Sequence, residues 1–226
     1  MAIDKTLCDN IIRLCAVMTR LRTPEGCPWD AQQTPTSLKP FIIEEAYELV
    51  DALDSGDPRA ICEELGDLLL QVVFQAEIHQ EMQQFDLSDV MRGITEKLIR
   101  RHPHVFNRQD ERHPTDHELR WDQIKTEEKA ASGTQGDLLS GIPNQLPALQ
   151  QTQKIYSKLN RHGKSPSLPT DNPCNDADAD NPELRETRSR IVRELAHAVI
   201  TAEEHGLDAE SLLREFNKNL VAEYRG

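Results

Sequence analysis

The chain has 226 residues, of which 37% are hydrophobic and only 4% aromatic, so aliphatic side chains must supply the core, which suits helices better than a sandwich. Its net charge of -13 excludes non-specific attachment to nucleic acid or to an anionic membrane. An anionic ligand would need a cation to carry it. The five cysteines (Cys8, Cys15, Cys27, Cys62, Cys174) form no C-x-x-C pair, which indicates neither a zinc knuckle nor a disulfide framework and fits a reducing cytoplasm. No signal peptide or membrane span is expected.

Leu7, Ile11, Leu14, Met18 and Leu21 recur at helical spacing and predict an amphipathic helix over 4–22. Residues 23–28 form a turn, and Trp29-Asp30 with Gln32-Gln33-Thr34 is expected in loop. Trp29 is either a hydrophobic plug or a ligand-side residue. The next helix starts near Pro40 and runs to Leu53. Its apolar stripe is read as Ile42, Ala46, Leu49 and Leu53, with Glu44, Glu45, Glu48 and Asp51 opposite. Alone, that acidic side is an ordinary solvated face.

Asp57 is an N-cap with Pro58 at the first helical position. The helix it opens, to about His79, is apolar on every side and is therefore expected to be buried. Glu64 and Asp67 point in nearly the same direction as its Phe74 and Ile78. A buried carboxylate is costly unless it is paired or bound to metal. The pairs Glu45/Glu48 and Glu64/Asp67 share i,i+3 spacing, so two adjacent helices could bring four carboxylates to one point.

A further helix covers 86–101, with Val90, Met91, Ile94 and Leu98 apolar. Its basic end, Lys97, Arg100 and Arg101, either complements the helix dipole or clamps a phosphate. His113 and His117 lie four apart, but Pro114 between them opposes a zinc-binding helix. Thr115 and Glu118 form a capping-box pattern opening a helix through Trp121. Another helix is expected over 144–160. The organisation expected is a catalytic helical domain over 1–131, a connecting helix region over 132–160, a polar linker over 161–182 and a degenerate second helical segment over 183–226. That last segment holds helices over 183–204 and 209–223, with Gly206 as C-cap.

The final helices can be laid on the first half as a worn repeat. Glu194-Leu195 falls on Glu64-Leu65, and Asp208–Leu220 falls on Asp86–Leu98. Asp67 then becomes His197, while Lys97, Arg100 and Arg101 become Asn219, Ala222 and Glu223. The acidic and basic clusters vanish together, as expected if they serve one chemical purpose.

Gly26-Cys27-Pro28-Trp29-Asp30, Glu44-Glu45-Ala46-Tyr47-Glu48, Glu64-Leu65-Gly66-Asp67 and Lys97–Phe106, in this order and spacing, resemble the MazG nucleoside triphosphate pyrophosphohydrolases. The resemblance also takes in Trp121-Asp122-Gln123-Ile124-Lys125, and it implies an all-α helical bundle. The implied metal ligands are Glu45, Glu48, Glu64 and Asp67, holding Mg²⁺ or Mn²⁺. The implied nucleotide contacts are Lys97, Arg100, Arg101 and Trp121. Members hydrolyse nucleoside triphosphates to the monophosphate and pyrophosphate, and many are homodimers.

Clustered carboxylates raise one another's pKa, and a hard, oxygen-loving cation resolves the repulsion. Such a cation would neutralise the triphosphate and activate water, with Glu44 a candidate for orienting that water. The basic residues would steady charge on the leaving pyrophosphate. Neither a membrane nor a nucleic acid is an expected partner. The alternative is a non-catalytic helical interaction or nucleotide-sensing protein with a vestigial metal site.

Overall fold

The structure is a computed structural model that describes residues 5–106, 138–164 and 181–224. Every regular element among the described residues is helical. The chain divides into two compact units, 1–121 and 122–226. In the first lie α1 (Lys5–Arg22), α2 (Pro28–Gln32), α3 (Lys39–Ser55), α4 (Pro58–Glu81), α5 (Leu87–Arg101) and α6 (Pro103–Phe106). In the second lie α7 (Ala148–Arg161), α8 (Pro182–Glu204) and α9 (Ala209–Tyr224).

Local chemistry sets these boundaries. α3 ends at Gly56, whose φ of 68° is a left-handed conformation that side chains with a Cβ resist. One residue later the Asp57 side chain accepts from the Arg59 amide at 2.9 Å, and Pro58 starts α4. The tight connection folds α3 and α4 into an antiparallel pair, and α1 packs on α4. α5 opens with a reciprocal cap: the Asp89 amide donates to Asp86 and the Asp86 amide donates to Asp89. The core gathers Met18 of α1, Leu38 just before α3, and Val73, Phe74 and Ile78 of α4, with Leu14, Phe41, Leu70 and Leu87 against them.

In the first unit, three expectations are corrected. The Trp29 stretch is helical, because Pro28 supplies the first-turn geometry of α2. Its approach is tight: a Cβ on Gly26 would lie 2.3 Å from the Leu21 carbonyl oxygen, so only glycine passes there. The inward stripe of α3 is rotated from the one expected. Phe41, Ile42, Glu45 and Leu49 are half-buried and Ala52 is buried, while Ala46 and Leu53 face out. Glu45 sits three residues from Ile42 and four from Leu49, which puts it beside them rather than opposite. Finally, α4 is not buried all round. Leu65, Leu69 and Val72 form an exposed apolar stripe, since α1 and α3 cover only the other sides.

In the second unit, α8 starts like α4, with Asn181 accepting from the Leu184 amide at 3.1 Å and Pro182 following. Gly206 has the same φ of 68° as Gly56, and Asp208 accepts from the Ser211 amide at 2.7 Å to start α9. Gln153 of α7 ties the unit together by donating to Glu203 and to the Leu207 carbonyl and accepting from the Ala209 amide. α7 begins at Ala148, later than the expected 144, because Pro147 holds an extended conformation at its cap. The His113/His117 pair, the helix expected from Thr115 through Trp121 and most of the 161–182 linker lie outside the described residues.

Candidate carboxylate site

The α3–α4 pair brings the middle of α3 against the first third of α4. Glu45 and Glu48 on α3 and Glu64 on α4 each offer a carboxylate oxygen within 4.8 Å of the others. Glu45 and Glu64 are half-buried and Glu48 is exposed, so the cluster opens to solvent along one side. Asp67, half-buried one turn beyond Glu64, stands outside this tightest trio but exerts the strongest charge effect on Glu45. Glu44 is exposed one helical turn before Glu48 on α3, and it comes last among the charges that act on Glu45.

The electrostatics are those of a cluster short of positive charge. Partial burial, then repulsion by Asp67, Glu48, Glu64 and Glu44, pushes the Glu45 carboxyl above the usual carboxylate range. Burial, then Glu48, Asp67 and Glu63, does the same to Glu64. Oε2 of Glu64 is buried and has no hydrogen-bond partner. An all-oxygen donor set with one buried, unpartnered oxygen fits a hard divalent cation such as Mg²⁺ or Mn²⁺, and Glu45, Glu48 and Glu64, with Asp67 adjacent, are the residues that could hold it.

The basic residues stand apart in sequence and element. Lys97 and Arg100 are exposed on α5, and Arg101 is half-buried at its end. Trp121 lies outside the described residues. Trp29 is no buried plug: it stays 53% exposed, with its ring edge-on to Phe41 at 5.9 Å between centroids. Phe41 lies one helical turn before Glu45, so an aromatic lip flanks the carboxylates. Sequence reasoning passed over the residue that fixes this lip. Arg22 donates twice to Glu81, at 2.6 and 2.7 Å, and also to the carbonyls of Asp30 and Gln33. An arginine closing α1 reads as an ordinary dipole complement, and its partner lies 59 residues away, so no local spacing could have shown the bond.

Antiparallel helices that pool carboxylates at one level place the protein in the class of all-α bundles with an acidic centre. A MazG nucleotide pyrophosphohydrolase domain matches residues 33–106, which span both carboxylate pairs and the basic end of α5. A nucleoside triphosphate pyrophosphohydrolase of Escherichia coli K12 is 46% identical over 151 residues, 66% of this chain and 57% of that protein. The Thermotoga maritima protein named nucleoside triphosphate pyrophosphohydrolase/pyrophosphatase MazG is 43% identical over 150 residues, 66% of this chain and 56% of its own length. An uncharacterized 26.1 kDa Streptomyces cacaoi protein is 35% identical over 207 residues, 91% of this chain and 77% of that one. The chain belongs to the MazG family, and it spans a little over half the length of its E. coli and T. maritima relatives.

Proposed function

We propose that this chain is a Mg²⁺-dependent nucleoside triphosphate pyrophosphohydrolase, releasing the nucleoside monophosphate and pyrophosphate in cytoplasmic nucleotide-pool house-cleaning. The observation that carries this reading is the convergence of Glu45, Glu48 and Glu64 around a buried carboxylate oxygen that no protein donor satisfies. The relatives from E. coli and T. maritima, both named nucleoside triphosphate pyrophosphohydrolases, support the substrate class.

Glu45, Glu48, Glu64 and Asp67 hold the cation in this reading. When bound, it supplies neutralisation of the triphosphate and a lowered pKa for water. Glu44, one turn before Glu48 on α3, orients the water that attacks the α-phosphorus. The bond between that phosphorus and its bridging oxygen breaks, and pyrophosphate leaves with the electron pair. Lys97, Arg100 and Arg101 counter the charge on the leaving group, and Trp121 contacts the nucleotide. Trp29 and Phe41 bound the site on the side of the α1–α2 turn.

A homodimer completes the reading. Every α5 residue from Val90 to Arg100 is exposed, although Val90, Met91, Ile94, Leu98 and Ile99 are apolar. Such a face, together with Leu65, Leu69 and Val72 of α4, suits a second copy rather than water. The second unit acts as a degenerate copy of the α4–α5 arrangement.

Pyrophosphate release from a panel of NTPs and dNTPs, with Mg²⁺ and with EDTA, tests the activity. Release that requires the metal supports it. Release that persists unchanged in EDTA, or no release from any nucleotide, rejects it.

A further inference from the structure

Helix α4 carries one polar stripe on the face turned to α3: Glu64, Asp67, Gln71 and Gln75 recur at three- and four-residue spacing. Both ends of the stripe meet α3 or the segment leading into it. Glu64 meets Glu45 and Glu48. Gln75 Nε2 donates to the Pro35 carbonyl at 3.2 Å. The two helices are antiparallel, so Gln71 lies between these contacts, at the level of Leu38–Ile42. It is only 7% exposed, and its Oε1 is buried without a hydrogen-bond partner. A leucine or methionine would fill this position without the desolvation cost of an unsatisfied amide oxygen.

The surroundings point to a ligand for that oxygen. Phe41, in the facing stretch, holds the half-exposed Trp29 edge-on. Gln71 lies one turn of α4 beyond Asp67, about 6 Å along the helix axis. A nucleotide with its phosphates at the carboxylates has its sugar and base within that reach. We propose that Gln71 is a specificity-determining residue, its amide oxygen accepting a hydrogen bond from an N–H or O–H of the substrate's nucleoside part. This rests on the nucleoside triphosphate reading above.

The test uses the full chain with Gln71→Leu and the closer isostere Gln71→Met. It measures thermal midpoint, Mn²⁺ binding by calorimetry, and kcat and KM for the four NTPs and their deoxy forms. The midpoint should hold or rise, Mn²⁺ affinity should hold, and KM should rise about tenfold, as for one lost hydrogen bond, with kcat little changed. A KM rise that differs among bases assigns the bond to a base N–H. An equal rise for all ribonucleotides, absent for deoxynucleotides, assigns it to a sugar hydroxyl. A raised midpoint with every KM unchanged overturns the proposal and leaves Gln71 a packing residue. A parent chain that releases no pyrophosphate overturns the activity reading, and this inference with it.

Discussion

Helix α4, of 24 residues, follows an Asp57 cap and Pro58, and helix α8, of 23 residues, follows an Asn181 cap and Pro182. Each then turns into a shorter helix whose N-cap is an aspartate, Asp86 for α5 and Asp208 for α9. Counted from the capping prolines, the places of Glu64 and Asp67 fall at Arg188 and Ile191, whereas the repeat register read from the sequence puts Glu194 and His197 there; on neither count is the acidic pair kept. Two hairpins with similar caps thus differ in their carboxylates: among the described residues the acidic cluster involves α4 and not α8. Caps and proline are what the hairpin needs, and they recur, as does a left-handed residue at the turn, Gln83 at φ 57° in one and Gly206 at φ 68° in the other. The acidic residues are not needed for construction, and they burden the fold by raising one another's pKa. Among the described residues they cluster only where α4 meets α3, which calls for an explanation in terms of a ligand.

The widest gap between the two hairpins should be in activity. Glu45→Gln or Asp67→Asn should lower Mg²⁺-dependent pyrophosphate release more than about 100-fold, above the cost of losing an outer partner of a metal site, with helicity by circular dichroism unchanged. Arg188→Ala should leave release at the parent level. Equal losses in both hairpins would erase the distinction.

A smaller difference should appear in stability. Arg22 is buried to within 6% at its side chain and joins α1, the α2 turn and α4, whereas Arg214 pairs with Glu210 inside α9. Arg22→Ala should cost about 2 kcal/mol by urea denaturation, less than for a wholly buried pair because Glu81 is partly exposed. Arg214→Ala should cost about 0.5 kcal/mol or less. Comparable midpoints for the two variants would show that the tertiary pair does no more than the local one.

The mildest test is by pH. The folded chain holds the carboxyls of Glu45 and Glu64 above their ordinary range, so it retains protons there that the unfolded chain releases. That contribution favours folding below the ordinary carboxylate pKa and is lost as pH rises through the raised folded values, opposite in sign to a salt-bridged carboxylate. In metal-free buffer, Glu45→Gln should therefore gain on the parent in urea midpoint as pH increases. A difference that is flat or shrinking with pH would contradict the raised pKa values.

Most helix limits were legible because they are written locally, in Gly56-Asp57-Pro58, Asp86 and Gly206, whereas Pro28 was read as the end of a turn and not as the start of α2. The carboxylate set was legible from its doubled i,i+3 spacing. What escaped depends on neighbours distant in sequence. The direction α3 turns its face is decided by α4, so Glu45 was assigned to the wet side although its inner neighbours are Ile42 and Leu49. Leu65, Leu69 and Val72 look like core in a string of letters, yet no described helix covers them. Gln71 carried no signal except its place on the stripe of Glu64 and Asp67.

The Arg22 anchor has a bearing on timing. Its bonds to the Asp30 and Gln33 carbonyls, with the Cys27 amide held to the Leu21 carbonyl at 2.8 Å, fasten the α2 turn to the end of α1, while Glu81 fastens the same guanidinium to α4. The turn therefore cannot swing as a gate without tearing a charged bond from the packed helices. Trp29 waits in place beside the acidic centre, and its ordering entropy is settled during folding rather than at each encounter. Capture at this edge should then follow the diffusional arrival of an ion and its ligand, without a slow closing step.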